Sequence, residues 1–80
     1  MERQNIPLAD LGKNRSGTIT SISGGFGFQR RLYCMGIREG EKVTVVSRQP
    51  FRGPITIEVC GSCMTLGRGM ARKILVDVVK

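Results

Sequence analysis

The stretch of residues 30–46 constrains the fold most, because its hydrophobic period changes within a few residues. Phe28, Leu32 and Met35 recur at the i, i+4, i+7 spacing, which predicts a short helix over residues 28–35. Gly36 follows at the place where helices commonly end with a left-handed residue. Beyond the next turn valines occupy alternate positions, which is the period of a strand. The segment therefore predicts a helix, a glycine stop and a strand in close succession.

Five segments carry the β-branched, alternating pattern that is typical of strands. They cover residues 17–22, 42–48, 55–60 and 63–66, and a last strand around Ile74, Val76 and Val78. Leu8 and Leu11 predict one helical turn before the first strand, and residues 67–72 are long enough for a single 3₁₀ turn. We therefore expect a mainly all-β chain with one short helix inserted after the first strand.

Eighty residues are expected to form one domain, residues 1–80, with a small core. Short strands in so small a chain favour a closed or nearly closed barrel, because closure removes exposed sheet edges. An SH3-like barrel of about five strands is the simplest architecture that meets these constraints.

Thirteen basic and six acidic residues give a net charge of +7. A nucleic acid, an anionic membrane surface or an acidic protein face would each fit this charge, as would a basic surface with no particular partner. Histidine is absent, which removes the commonest general base and leaves the cysteines without a histidine partner. The carboxylates are scattered, so we expect a binding protein and not an enzyme. Aromatic residues are few, which argues against a base-stacking surface for nucleic acid.

Basic residues cluster near the predicted helix and near a loop with two prolines, Pro50 and Pro54. Phe51 is expected at the tip of that loop, where it would either contact a partner or cap the end of the barrel. The candidate partner-binding residues are Arg30, Arg31, Arg38, Phe51 and Arg52.

Cys60 and Cys63 flank Gly61 and Ser62, which read as a two-residue hairpin turn. That turn would place both thiols opposite each other on the outer face, as half of a zinc or iron site. Cys34 or a second copy of the chain would have to supply further ligands. A reversible disulfide, or no chemical role at all, are the alternatives.

The chain resembles the FeoA family of small accessory proteins of bacterial ferrous-iron transport. The likeness is most specific in the segment Leu32-x-x-Met35-Gly36-Ile37-x-x-Gly40. Further matching positions extend over nearly the whole chain: Leu8, Leu11, Gly12, Gly17, Ile19, Arg31, Val43, Val45, Gly53, Pro54, Ile55, Leu66, Ala71, Ile74 and Val76. The resemblance implies an SH3-like fold, a non-enzymatic role and a link to the membrane permease FeoB, which has a cytosolic GTP-binding domain. A similar domain ends some iron-dependent repressors of the DtxR type.

The chain lacks an apolar run that could span a bilayer, and its N-terminus lacks the features of a signal peptide. We therefore expect a cytoplasmic protein with reduced thiols that docks on FeoB, with a homodimer as one arrangement. The alternatives are a small basic barrel that binds nucleic acid, and a chaperone or sensor that holds Fe²⁺ or Zn²⁺ through its cysteines.

Overall fold

Six antiparallel strands form one sheet in the computed structural model, which describes residues 3–49 and 53–79. The elements in chain order are β1 (Arg3–Pro7), a 3₁₀ turn (Leu8–Asp10), β2 (Ser16–Ile22), α1 (Phe26–Cys34), β3 (Lys42–Arg48), β4 (Ile55–Val59), β5 (Ser62–Leu66), α2 (Arg68–Ala71) and β6 (Ile74–Val79). The strand order is β1-β6-β2-β3-β4-β5, so β1 and β5 are the two edges among the described residues.

The mainly β class and the helix after the first predicted strand are confirmed, with small differences at the ends of elements. Strand β3 has the predicted bounds, while α1 begins at Phe26, two residues before its predicted start. The segment of residues 67–72 contains the short helix α2 where a 3₁₀ turn was expected. Strand β1 was not predicted, because its sequence is largely polar and it forms by pairing with β6.

The core lies between the inner face of the sheet, α1 and the 3₁₀ turn. Alternate residues of the strands point into it, as the pleat requires. Val43 and Val45 are fully buried, as predicted. The buried hydrophobic residues are Leu8, Ala9, Leu11, Ile19, Ile22, Leu32, Ile37, Val43, Val45, Ile55, Ile57, Val59, Leu66, Ala71, Ile74, Val76 and Val78.

The end of α1 has the hydrogen bonds of a Schellman motif. The N–H of Ile37 donates to the carbonyl of Leu32 at 2.9 Å, and the N–H of Gly36 donates to that of Tyr33 at 3.0 Å. Gly36 has φ = 91°, a conformation that is costly for residues with a Cβ. Leu32 and Ile37 are both fully buried. The predicted glycine stop and the return of Ile37 to the core are confirmed.

The hairpin between β4 and β5 turns at Cys60 and Gly61, not at Gly61 and Ser62. Both turn residues have positive φ, 53° and 77°, as a type I′ turn requires. Val59 pairs with Ser62, and Glu58 pairs with Cys63. The predicted register, with Cys60 opposite Cys63, is therefore wrong. Both registers bury the same residues, and the observed one places Gly61 at the second turn position, where glycine is strongly preferred.

Candidate functional site

The outer face of α1 carries two large aromatic side chains in contact with solvent. Phe28, Leu32 and Met35 face the core, which leaves Phe26 and Tyr33 on the opposite side. Phe26 is 81% exposed and Tyr33 is 40% exposed. Single exposed apolar side chains are common on soluble domains, so Phe26 and Tyr33 are informative only together with the charged side chains around them.

The position of α1 is fixed by side-chain contacts at its start. Gln29 donates its Nε2 to the carbonyls of Ile22 at 3.1 Å and Gly24 at 3.0 Å. Gly24 has φ = 119°, and a Cβ there would lie 2.7 Å from the ring of Phe28. The ammonium of Lys73 lies 4.8 Å from the centre of the same ring, within the range of a cation–π interaction. These contacts hold the inner face of α1, so its outer face is presented in a defined orientation.

The outer face of α1 is basic. Arg30 and Arg31 are exposed in a helix that contains no acidic residue, and Arg38 is exposed in the loop that follows. The nearby Glu39 accepts a hydrogen bond from the hydroxyl of Tyr33 at 2.9 Å, which raises the pKa of that tyrosine. The exposed residues Phe26, Arg30, Arg31 and Tyr33 of α1, together with Arg38 of the loop that follows, are called the α1 face below.

Three of the five predicted partner-binding residues, Arg30, Arg31 and Arg38, lie at the α1 face. Phe51 and Arg52 lie outside the described residues. Sequence reasoning did not single out Phe26 and Tyr33 as partner-binding residues. A signal was present, because Phe26, Arg30 and Tyr33 have the i, i+4, i+7 spacing of a second helix face.

Cys60 lies next to a carboxylate and is not opposite Cys63 in the ladder. Its Sγ donates a hydrogen bond to Oε2 of Glu41 at 2.9 Å, and it lies 4.0 Å from the carbonyl oxygen of Gly36. The hydrogen bond to Glu41 raises the pKa of the thiol, with smaller contributions from desolvation and from the charge of Glu41. Lys42, Thr44 and Glu58 line an open cleft of about 370 Å³ beside it, with Cys60 and Gly61.

The cysteines are exposed and unbridged, and Cys34 lies on α1. Within residues 3–49 and 53–79, no three cysteine, aspartate or glutamate side chains are close enough together to hold a metal ion. A closed tetrahedral site needs four ligands. The described part of one chain therefore does not complete the metal site that the sequence suggested.

Cys60 is expected to react slowly with iodoacetamide, because the thiolate is the nucleophile and the neighbouring carboxylate disfavours it. The rate for each cysteine is measured by mass spectrometry across pH 6–10. In Glu41→Gln the pKa of Cys60 should fall, so its rate profile should move to lower pH. The profile of Cys63 serves as the control and should not change. An unchanged Cys60 profile in the variant would contradict the role given to Glu41.

Comparison with known proteins identifies the family to which this chain belongs. The model of the FeoA domain family matches residues 6–78. The chain belongs to the FeoA domain family. A curated relative, the "Putative Fe(2+) transport protein A" of Methanocaldococcus jannaschii, is 38% identical over 71 residues. The match covers 89% of this chain and 84% of that relative.

Solved structures of FeoA proteins have the same fold as this FeoA domain. The crystal structure of an iron uptake regulatory protein, FeoA, superposes with a TM-score of 0.85 at 32% identity, covering 91% of this chain and 96% of that one. The FeoA of Stenotrophomonas maltophilia complexed with zinc, described as a prokaryotic SH3 domain protein, gives a TM-score of 0.74 at 25% identity. It covers 86% of each chain. The SH3-like class and the family resemblance are thereby confirmed.

No helix in the described part of this FeoA domain is long and apolar enough to cross a membrane.

Proposed function

We propose that the protein is an accessory binding protein of ferrous-iron uptake that docks on the cytosolic part of an FeoB-type permease. Membership of the FeoA family and the iron-transport names of its relatives support the process. The proposed site of docking is inferred from the α1 face, where exposed aromatic side chains lie near arginines. Such residues are enriched among those that dominate the energetics of protein interfaces.

The proposed docking surface is the α1 face, and Phe51 and Arg52 stay predicted partner-binding residues. Phe26 supplies the apolar contact, and the arginines attract acidic side chains of the permease domain. Because the chain has a net charge of +7, encounter with an acidic surface is accelerated at low salt. In this role the protein is a binding module in the cytoplasm with no catalytic step.

Docking is tested with the isolated cytosolic domain of FeoB in its nucleotide-free, GDP-bound and GTP-analogue-bound states. We expect Phe26→Ser and Arg30→Glu each to weaken binding by about tenfold or more, which corresponds to about 1.4 kcal/mol. Lys13→Glu is the matched control, because Lys13 is exposed in the segment between the 3₁₀ turn and β2. The affinity of Lys13→Glu for the FeoB domain should stay within about twofold of that of the unmodified protein, since a single exposed charge outside the α1 face contributes little. Affinity should also fall as salt rises.

Absence of binding in all three nucleotide states would overturn the proposal. Equal losses in Lys13→Glu and Arg30→Glu would show that net charge, and not the α1 face, governs the contact. A mixed-sequence oligonucleotide in the same assay tests the nucleic-acid alternative, for which we expect no binding at physiological salt.

Metal binding through Cys60 and Cys63 stays a prediction from sequence. The neighbouring thiol and carboxylate of Cys60 and Glu41 favour Cys60 as the stronger donor, because loss of the thiol proton leaves two ligand atoms close together. Fe²⁺ in this proposal is the cargo of the permease.

A further inference from the structure

Among the described residues, strand β5 is a sheet edge without a charged residue, a proline or a bulge. Within the described residues it pairs with β4 alone. Its sequence, Ser62-Cys63-Met64-Thr65-Leu66, has no charged residue and no proline. Natural sheets usually protect such edges with charges, prolines or bulges, because an open edge is a template for another strand.

The other edge, β1, shows the contrast. It contains Arg3 and Pro7, and proline cannot donate to an added strand. The ladder of β5 with β4 is also regular, with five consecutive pairs and no shift of register. Shifts do occur between β2 and β6 and between β3 and β4. The open edge of β5 is therefore regular as well as uncharged.

The backbone groups that β5 leaves free follow from the hairpin. Residues that flank a two-residue turn form a hydrogen-bonded pair, here Val59 and Ser62. Ser62, Met64 and Leu66 therefore direct their backbone groups toward β4. The N–H and C=O groups of Cys63 and Thr65 point the other way, and both residues are exposed.

We infer that β5 pairs with β5 of a second copy of this chain in an antiparallel, two-fold arrangement. Cys63 lies opposite Thr65 of the second copy, and Met64 lies on the two-fold axis. In this register the two β5 strands overlap over their whole length. The free N–H and C=O groups of Cys63 and Thr65 in each copy then form hydrogen bonds with the other copy.

The distribution of charged residues favours a second copy of this chain as the partner that pairs with β5. The hairpin of residues 55–66 contains a single charged residue, Glu58, in a chain of net charge +7. Pairing of two copies at β5 sets no charged side chain of one strand opposite a like charge of the other, because β5 contains no charged residue. An acidic partner is attracted to the basic α1 face, not to this nearly neutral edge. The pairing of two five-residue strands buries little surface, so the dimer is weak and reversible.

The test is sedimentation equilibrium of the whole chain from about 20 μM to 2 mM, a range set for a weak interface. We expect reversible dimerisation that strengthens with added salt, because salt screens the repulsion between two cationic copies. Amide NMR signals of Cys63 and Thr65 should shift with concentration. This salt dependence is opposite to that expected for docking on an acidic permease domain, so the two proposals succeed or fail separately.

The decisive variant is Thr65→Pro, which removes an N–H that β4 does not use and is therefore compatible with the edge of the folded sheet. It should be monomeric at 2 mM, while the matched control Thr65→Val, which keeps the N–H, should dimerise like the unmodified protein. Thr65→Lys is the second disrupting variant if the proline variant does not fold. An unmodified protein that is monomeric at 2 mM in 0.5 M salt, or a dimer that persists in both disrupting variants, would overturn the inference.

Discussion

Replacement of Arg48 by glutamine is expected to destabilise the fold by about 3 kcal/mol, although the side chain is only half-buried. Its Nη1 donates to the carbonyl of Leu11 at 2.7 Å, and its Nη2 donates to the carbonyl of Ala9 at 2.6 Å. Ala9 and Leu11 are buried, so the variant leaves two carbonyl groups without their charged donor. Loss of hydrogen bonds from a charged group costs about 1.5–3 kcal/mol each before relaxation.

The measurement is urea unfolding followed by circular dichroism, with the unfolding slope compared between variants. Arg31→Gln is the matched control, because Arg31 is exposed on α1, and it should change the free energy of unfolding by less than about 0.5 kcal/mol. Arg48→Lys should fall between the two, since an ammonium cannot reproduce the two-pronged donation of a guanidinium. A loss below about 1 kcal/mol in Arg48→Gln would show that water replaces the guanidinium.

Substitution of Gly17 by alanine is expected to cost about 2 kcal/mol through overpacking. Gly17 is buried in β2 opposite Val43. A Cβ at this position would lie 2.9 Å from Cγ1 of Val78, 3.1 Å from the carbonyl oxygen of Asp77 and 3.2 Å from Cβ of Val76. Because part of this contact is with the backbone of β6, β2 and β6 would have to move apart.

Gly27→Ala is the control and should have the opposite sign. Gly27 lies in α1, and a Cβ there would meet no atom within 4 Å. Alanine should therefore stabilise the helix by about 0.5–1 kcal/mol relative to glycine. Both variants are compared with the unmodified protein by thermal and urea unfolding. Equal effects of the two substitutions would contradict the close approach of β2 and β6.

The elements that depend on residues close together in the chain could be predicted from the sequence. The spacing of Phe28, Leu32 and Met35 predicts the inner face of α1, and Gly36 with Ile37 predicts how the helix ends. The alternating Val43 and Val45 predict β3, because a half-buried strand requires this period. The basic residues of the α1 face were likewise visible, since charge is a property of composition.

The features that depend on distant residues were decided by the tertiary structure. Strand β1 exists because its backbone pairs with β6, and its own residues carry little strand signal. The register of the β4–β5 hairpin was predicted wrongly, since two positions of the turn bury the same side chains. The local signal for the observed register is Gly61 at the second turn position. In the observed register Cys60 is a turn residue that contacts Glu41, and Cys63 pairs with Glu58.

Long-range contacts also set the roles of Arg48, Gly17 and Phe26. In the sequence Arg48 is one basic residue near a proline loop, yet its donation to Ala9 and Leu11 makes it a structural residue. Gly17 marks the close approach of β2 and β6, and Phe26 is exposed because the core is filled from the opposite face of α1. Sequence determined the local elements and the charge of this protein. Only packing determined which side chains meet, because contacts between residues far apart in the chain have no local signature.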